Sequence, residues 1–532
     1  MAQRLMPAHA LLQLRSRLRK VCVPVAAATP EDLIARARAL VVEQPFLEFR
    51  LDALDAPGAA IPLIREFIAG HPEAVVIATC RRKAAAGGFR GSAHDEIALL
   101  AEAAEAGCHI VDLSLETVEA LTHEHRIRQV DALRGHGAAL LISYHDPKTT
   151  RSLEAIFHRI ERHAPDFIKI VSTARRLAHN LAMLRLLVRY SDRANMVAIC
   201  MGERGLPSRV LGPRTGSIFT FAAASEEEAT APGQLSASAL RDIYRLDQID
   251  GSTRVYAVAG NPIRQSLSPL MLNAAFRKES VNAVLLPLRT ATPSAADPAR
   301  EPVTDLLKVV REIPLHGLSV TMPLKRSIIP YLEKTDPLSG KIGACNTVVR
   351  SQEGKLYGFN TDVAGIVYPL EKRLRLKGAN VLVLGAGGAA RAAVFGLVDR
   401  GATVSVLNRT AETAHRLARQ SGARVQRRDQ LRKQKFDVIV NATSLGMRGH
   451  APGPALEPEE LNARLVYELV YNPIETPLVR LARSKGIPVI PGLEMFVHQG
   501  ARQFEIWTGK PAPETDMLRV VLHALRHGAA SS

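Results

Sequence analysis

The 532 residues carry 69 Lys+Arg against 52 Asp+Glu, a net charge of +17, and 47% of them are hydrophobic. That length calls for more than one domain, because single cores stop growing near roughly 250–300 residues, and no run approaches the ~18 uninterrupted apolar residues of a membrane helix. Five scattered cysteines (Cys22, Cys80, Cys108, Cys200, Cys345) form no CxxC pair, which fits buried thiols in a reducing cytoplasm rather than a disulfide scaffold.

The first 20 residues hold five basic and no acidic side chains. They show no apolar stretch with a small-residue cleavage site, so a secretory signal is not expected; a short transit-type leader is the alternative reading. From residue 21, apolar strand-like runs recur at 21–27, 46–52, 74–80, 109–115, 138–144, 166–172, 195–201 and 216–221, with helix-spaced segments between them. Eight strands alternating with helices predict a (β/α)8 barrel, whose active site belongs at the C-terminal strand ends. Those ends are polar. The second run closes on Glu48, Arg50 and Asp52, which period-two geometry puts on one side of the strand. The third closes on Arg81-Arg82, the fourth carries Asp112, the fifth ends in His145, and the sixth holds Lys169 between Ile168 and Ile170. Charged groups facing a barrel interior are costly unless paired or used. An amine in so apolar a setting is expected to lose its proton easily, as a nucleophile requires; a structural Lys–Glu pair is the competing reading.

Glu-x-Arg-x-Asp at 48–52, the Ser-Tyr-His-Asp strand ending at 143–146, Lys169, Ser208-Arg209 and Ala-Pro-Gly-Gln at 231–234 resemble type I 3-dehydroquinate dehydratase over about residues 21–245. The resemblance implies a (β/α)8 TIM barrel that dehydrates 3-dehydroquinate to 3-dehydroshikimate. Lys169 would form a Schiff base with the substrate ketone and His145 would move the proton. Arg209 would hold the substrate carboxylate. Glu48, Arg50, Arg81, Thr230 and Gln234 would orient hydroxyls and neighbours. One position departs from the family: Ala86 stands where a Glu precedes Gly87-Gly88, and the spacing leaves Arg81 and Arg82 as rival equivalents of one arginine.

Residues 246–253 read as a short junction. The chain beyond is basic: residues 253–532 hold 38 Lys+Arg and 23 Asp+Glu, whereas residues 1–252 are nearly balanced at 31 and 29. The densest cluster is Arg424, Arg427, Arg428, Arg432, Lys433 and Lys435. It has no interleaved aromatics, so a solvated face or attraction of an anionic cofactor is expected instead of nucleic-acid binding. A strand at 255–259 leads to Ser266 and Ser268 ahead of a Pro-started helix. Another precedes Thr321 and Lys325; Asn346 and Asp362 follow at further strand ends. Lys325 and Asp362 are candidates for an acid–base pair.

At 381–391 a strand runs into Gly385, Ala386, Gly387, Gly388 and Ala389, and an Ala-rich helix follows. Strand, glycine turn and helix start bring backbone N–H groups close to a pyrophosphate. A second strand then ends in Asn408-Arg409-Thr410, where an NAD site carries an acid for the ribose hydroxyls. Arginine there favours a 2′-phosphate, so NADP(H) is the expected cofactor. Thr413 stands where a second arginine is common, with Arg416 one turn on. Thr443 lies in a polar loop after the next strand, and Gly492 opens the last long helical region.

Ser-x-Ser-Pro, Val-Thr-x-Pro-x-Lys, Gly-Ala-x-Asn-Thr, Asn-Thr-Asp, Gly-Ala-Gly-Gly-Ala, Asn-Arg-Thr, Asn-Ala-Thr-Ser and Gly-Leu-x-Met stand in the order of shikimate dehydrogenase over about residues 254–527. The resemblance implies a two-lobed α/β enzyme. Its substrate domain would be 254–366, completed by helices at about 500–527, and its Rossmann-like NADP-binding domain 378–495. Lys325 and Asp362 would be catalytic. Ser266, Ser268, Thr321, Asn346 and Gln499 would hold the ring substituents, and Tyr471 would line the cleft. Gly385, Ala386, Gly387, Gly388, Ala389, Asn408, Arg409, Thr410, Thr443 and Gly492 would serve NADP(H). Together the halves imply a fused cytoplasmic enzyme for consecutive steps, with 3-dehydroquinate, 3-dehydroshikimate and shikimate as its partners, and neither nucleic acid nor membrane. Quinate oxidation by the second half, or a degenerate regulatory homologue, are the alternatives. No metal site is expected; His123 and His125 read as solvated surface.

Overall fold

The computed structural model describes residues 6–85, 87–122, 130–228, 233–263, 266–291, 300–313, 315–448 and 453–528. Ala86, His123, His125 and Thr230 therefore lie outside the described residues. The chain divides into two compact units, chiefly at Thr253. Among the described residues no helix is long and apolar enough to cross a membrane.

In the first unit eight strands pair in the order β7-β6-β5-β4-β3-β2-β1-β8. They are β1 (Val21–Val25), β2 (Phe46–Arg50), β3 (Val75–Thr79), β4 (Ile110–Ser114), β5 (Ala139–His145), β6 (Phe167–Thr173), β7 (Met196–Met201) and β8 (Thr220–Phe221). Every pairing is parallel. A parallel bridge between Met196 and Ser217 joins β7 to the segment entering β8 and closes the sheet. The predicted barrel is present, and alternation along its strands explains its function. Inward positions near the strand starts are apolar: Phe46, Val75, Ile77, Ile110, Ala139, Leu141, Phe167 and Phe219 form one buried cluster. The same inward series continues as Glu48 and Arg50 on β2, Asp112 on β4, Ser143 and His145 on β5, and Lys169 on β6. The barrel is a packed core below and a polar cup above.

The basic N-terminal stretch has a structural job. Helix Ala8–Arg17 sets Leu14 into the apolar cluster, while Arg17 donates to the carbonyls of Pro72 and Ala74. It seals the lower end of the barrel.

The second unit has two sheets. In one, β9 (Arg254–Gly260), β10 (Ala283–Arg289), β11 (Leu315–Val320), β12 (Lys334–Thr335), β13 (Thr347–Arg350) and β14 (Leu356–Phe359) lie in the order β10-β9-β11-β13-β14-β12. β11 is parallel to β9 and antiparallel to β13. Helices Gly492–Thr508 and Glu514–Gly528 pack on it, burying Phe496, Phe504, Trp507, Met517 and Val521 with Tyr256 and Phe276.

The other sheet is parallel throughout: β15 (Asn380–Leu384), β16 (Thr403–Leu407), β17 (Arg424–Val425), β18 (Phe436–Asn441), β19 (Ala463–Glu468) and β20 (Val489–Ile490), ordered β17-β16-β15-β18-β19-β20. Counted from β15 this is the 3-2-1-4-5-6 order of dinucleotide-binding sheets, with its reversal between β15 and β18. The carboxyl ends of those two strands, Leu384 and Asn441, are register partners, so the glycine loop and the Thr443 loop open at the same crevice.

Candidate active sites

The barrel cup is organised by Lys169, only 3% exposed. Its Nζ donates to Glu48 Oε1 at 3.1 Å and Asp112 Oδ2 at 3.0 Å, and stands 4.0 Å from the Phe221 ring centre. The expected apolar setting is therefore corrected. Ile168 and Ile170 face outward by strand alternation, and the amine itself meets two carboxylates and one aromatic face. Glu48 also accepts from Thr79 Oγ1 at 2.9 Å. Asp112 also accepts from Arg81, at 3.1 Å. Burial would raise the Asp112 carboxyl, but Lys169 and Arg81 hold it below its ordinary value. Sequence reasoning gave Asp112 no role. The signal was available: it is an inward charge on β4, two strands from Lys169.

The two arginines point in opposite directions. Arg81 reaches into the cup toward Asp112 and Ser143. Arg82 turns outward to Glu96 and Thr117 on the helical layer. Arg50 is forked onto Asp52 at 2.8 and 2.7 Å, and Asp52 also accepts from the Gly88 amide, which ties the loop after β3 to β2.

Arg209, on helix Leu206–Leu211, is 2% exposed. It donates to the Phe221 carbonyl at 3.2 Å, and its Nε has no hydrogen-bond partner among the described residues. Burial pushes its pKa down to about 10. A buried guanidinium without a carboxylate is expensive, and an anionic ligand would relieve that cost through a bidentate pair. Gln234 is half-buried nearby in sequence to the predicted Thr230.

His145 ends β5, half-buried. Its pKa lies well below the usual imidazole value, because burial and then the charges of Arg81, Lys169 and Arg50 oppose protonation. Its ring makes no hydrogen bond to a described residue. The imidazole is thus neutral at ordinary pH. Any turnover that depends on a neutral imidazole here should hold steady in kcat/KM as pH falls through about 6.5; a titration with an apparent pKa at that value would contradict this environment.

In the second unit, Lys325 follows β11 and Asp362 starts helix Asp362–Glu371, where a carboxylate suits the helix dipole. Lys325 Nζ donates to Asp362 Oδ2 at 2.5 Å. Asn346 Nδ2 donates to Asp362 Oδ1 at 2.8 Å, to Thr361 Oγ1 at 2.9 Å and to Gln499 Oε1 at 3.4 Å. Ser268 is buried and Ser266 half-buried, with the Ser268 amide on Ser266 Oγ. Thr321 stands beside Gly260, where any Cβ would meet its methyl at 2.3 Å. Tyr471 stacks on Phe496 at 4.4 Å between ring centres, and burial pushes its hydroxyl up to about 12. Gln503 was not singled out. It sits one turn beyond Gln499 and donates to Ser319 Oγ, the Asn346 carbonyl and Thr347 Oγ1, bracing Asn346 from behind.

The glycine loop fits a dinucleotide. Gly385 has φ +108° and Gly387 faces open space, where a side chain would fill the cradle. Helix Gly388–Asp399 has no side-chain cap, so its first amides are left for an anion. A Cβ on Gly388 would lie 3.3 Å from Lys325 Cδ, which puts the loop beside the Lys325–Asp362 pair. At Gly492 a Cβ would meet the Val470 carbonyl oxygen at 2.5 Å, so glycine lets this helix start close to the chain leaving β19. Asn408 Nδ2 donates to the Thr410 carbonyl, and Arg409 is exposed with no ion pair to a described residue. Arg391 is held down by burial and by the charges of Arg326 and Arg416, so the field here is positive. The Arg424–Lys435 cluster is partly neutralised by Arg427–Asp429 and Arg428–Glu460 pairs.

Family models match in chain order: Type I 3-dehydroquinase over residues 21–251, the shikimate dehydrogenase substrate binding domain over 258–348, Shikimate / quinate 5-dehydrogenase over 370–448 and the shikimate 5'-dehydrogenase C-terminal domain over 492–522. A chloroplastic bifunctional 3-dehydroquinate dehydratase/shikimate dehydrogenase of Arabidopsis thaliana is 30% identical over 519 residues, covering 93% of this chain and 83% of that protein. The chain belongs to the bifunctional 3-dehydroquinate dehydratase/shikimate dehydrogenase family. The dehydrogenase half is also similar to the NADP(+) shikimate dehydrogenase of Pyrococcus furiosus, 38% identical over 286 residues, covering 52% of this chain and 98% of that one. A Thermus thermophilus shikimate 5-dehydrogenase solved with NADP(H) and shikimate is 35% identical, covering 51% of this chain and 100% of that one, with a TM-score of 0.47. This bifunctional enzyme is therefore a lyase joined to an NADP-dependent oxidoreductase of the shikimate pathway.

Proposed function

We propose that Lys169, His145 and Arg209 carry the dehydratase step, and that Lys325 and Asp362 carry the reduction. The observation that supports this most directly is the pairing of a buried Lys169 with an unpaired, buried Arg209 in one barrel cup: one group for a ketone, one for a carboxylate.

Lys169 Nζ attacks the ketone carbon of 3-dehydroquinate, and the ketone oxygen leaves as water to give the imine. Glu48 and Asp112 are both within reach of the proton the ammonium must shed first. The protonated imine draws electrons from the adjacent C–H bond, and neutral His145 takes that proton. The electron pair forms the ring double bond, the neighbouring hydroxyl leaves, and His145 returns its proton so that water departs. Hydrolysis of the imine releases 3-dehydroshikimate and restores Lys169. Arg209 holds the carboxylate in a bidentate fork; Glu48, Arg50, Arg81, Thr230 and Gln234 orient the ring.

Bound NADPH supplies a hydride to the ketone carbon of 3-dehydroshikimate. Lys325, paired with Asp362, gives or relays the proton to the new oxygen. Ser266, Ser268, Thr321, Asn346, Tyr471 and Gln499 position the ring. The domain spans in this reading are 21–245, 254–366 with about 500–527, and 378–495. Five buried free cysteines support a reducing, cytoplasmic setting. The deciding experiment supplies 3-dehydroquinate and NADPH to the purified chain. Shikimate should accumulate; oxidation of quinate in clear preference to shikimate would sink the reading of the second half.

Arg409 is read as the 2′-phosphate ligand. Arg409→Ser should raise KM for NADPH by about tenfold to a hundredfold, the scale of a lost charge-assisted bond, and leave KM for NADH near its starting value. Equal losses with both cofactors would remove Arg409 from that role.

A further inference from the structure

We propose that Glu468 is a positioning residue for NADP(H), fixing the amide orientation of Asn441 and, through it, the hydroxyl of Thr443. The inference rests on the reading of the Thr443 loop as part of the cofactor site.

Glu468 ends β19 and is fully buried. Its register partner on β18 is Asn441, also fully buried. Asn441 Nδ2 donates to both Glu468 oxygens, at 2.9 and 3.1 Å. The remaining carboxylate sites accept from the Val470 amide at 2.9 Å and from Thr476 Oγ1 at 2.8 Å. Each contact brings a donor to an acceptor. The other end of the Asn441 amide, Oδ1, accepts from the Thr443 amide at 3.2 Å and the Thr443 hydroxyl at 2.7 Å. Thr443 Oγ1 in turn accepts from the Leu445 amide at 3.2 Å.

The chemistry of this chain of contacts has one direction. In its ionised form Glu468 offers no proton, and its oxygens accept from the Val470 amide and the Thr476 hydroxyl as well, so only the NH2 end of Asn441 can face it. That leaves the carbonyl end for Thr443 and commits the Thr443 proton inward. Thr443 itself stands beside the glycine loop: a Cβ on Gly385 would lie 3.0 Å from the Ala442 carbonyl and 3.3 Å from the Thr443 methyl. Packing alone does not call for this residue. Burial pushes the Glu468 carboxyl up to about 7 in spite of the four hydrogen bonds it accepts, and no cation stands beside it among the described residues. An apolar side chain would fill the same place at lower desolvation cost. What the carboxylate adds is orientation: it removes the flipped state of the Asn441 amide. The same carboxylate also grips the Val470 amide, whose carbonyl is the surface on which Gly492 packs, so two segments assigned to the cofactor share one anchor.

The test compares E468Q, E468D, T443A and the double variant E468Q/T443A in the full chain. Glutamine can offer its NH2 to Asn441 and so permits the flip; aspartate keeps the charge but withdraws it by one methylene. KM for NADPH and NADPH affinity, read by fluorescence, should weaken about tenfold in E468Q, the scale of one charge-assisted bond, with an intermediate loss in E468D. KM for 3-dehydroshikimate and the dehydratase rate should stay within about twofold. If Glu468 acts through Thr443, the double variant should be no worse than the weaker single variant, because coupled residues are not additive. The emission of Trp507, the one tryptophan, stacked on Tyr256 at 4.9 Å, reports folding of the second unit. An unchanged KM for NADPH in a folded E468Q, or multiplied losses in the double variant, would overturn the proposal. If E468Q loses the folded Trp507 signal, E468D decides by the same two criteria. A wild-type chain without NADPH-dependent turnover would instead strike at the underlying function.

Discussion

Lys169→Met should abolish dehydration of 3-dehydroquinate, a fall of roughly 10⁴-fold or more as expected for loss of a covalent nucleophile, and leave 3-dehydroshikimate reduction untouched. The size of the effect follows from what Lys169 supplies. Without the imine there is no electron sink for the carbanion, and His145 alone cannot acidify the C–H bond. The substitution also leaves buried Glu48 without its cation, while Asp112 keeps Arg81; removing one partner costs about 3–5 kcal/mol in other buried pairs. Lys169→Arg separates the two effects, because it keeps the charge but cannot form the imine at neutral pH. Borohydride added during turnover should fix substrate to the wild type as a secondary amine, visible as added mass on the peptide containing Lys169, and to neither variant. A wild type that turns over 3-dehydroquinate yet gives no adduct would remove the Schiff base from the mechanism.

Period-two reasoning worked in the barrel because strands there are short, parallel and inward-facing at alternate residues. Glu48 and Arg50 could be placed on one side of β2 from spacing alone, and His145 and Lys169 on the fifth and sixth strands. It failed where a residue's meaning depends on a strand far away in sequence. Asp112 stands in an ordinary apolar run, and only the pairing of β4 with β5 and β5 with β6 carries it to Lys169. The apolar flanks of Lys169 misled for a related reason: neighbours in sequence face the opposite side, and the real neighbours come from β2 and β4. Glu468 was silent because a single acid at a strand end resembles solvated surface; its burial comes from β18 and the 470–476 segment. The glycine loop was legible because a positive φ and a close backbone approach demand glycine locally. Gly492 carries the same letter for a different reason, the nearby Val470 carbonyl, and no local pattern separates the two. In the basic N-terminal stretch, the burial of Leu14 and the bonds from Arg17 to the Pro72 and Ala74 carbonyls are contacts that composition does not show.

Lys325→Met should lower shikimate oxidation by about 10²- to 10⁴-fold, the range for a positioned proton donor, with the loss in kcat and KM for NADP+ little changed. Arg409 and the glycine loop hold the cofactor independently of that amine. Asp362→Asn should cost nearly as much, for a geometric reason. Asn346 presents its NH2 to Asp362 Oδ1, and Gln499 and Thr361 Oγ1 share that same NH2, so the new amide must turn its oxygen toward Asn346. Its own NH2 then faces Lys325, donor against donor, where a 2.5 Å contact stood. The ammonium is displaced from the ketone although it is still present. The two variants therefore act on one group, and the double variant should be no slower than the worse single one. The dehydratase rate, measured on the same samples, should remain at the wild-type level in all three. Changes confined to KM for shikimate, with kcat intact, would make Lys325 and Asp362 binding residues only and leave proton transfer to another group.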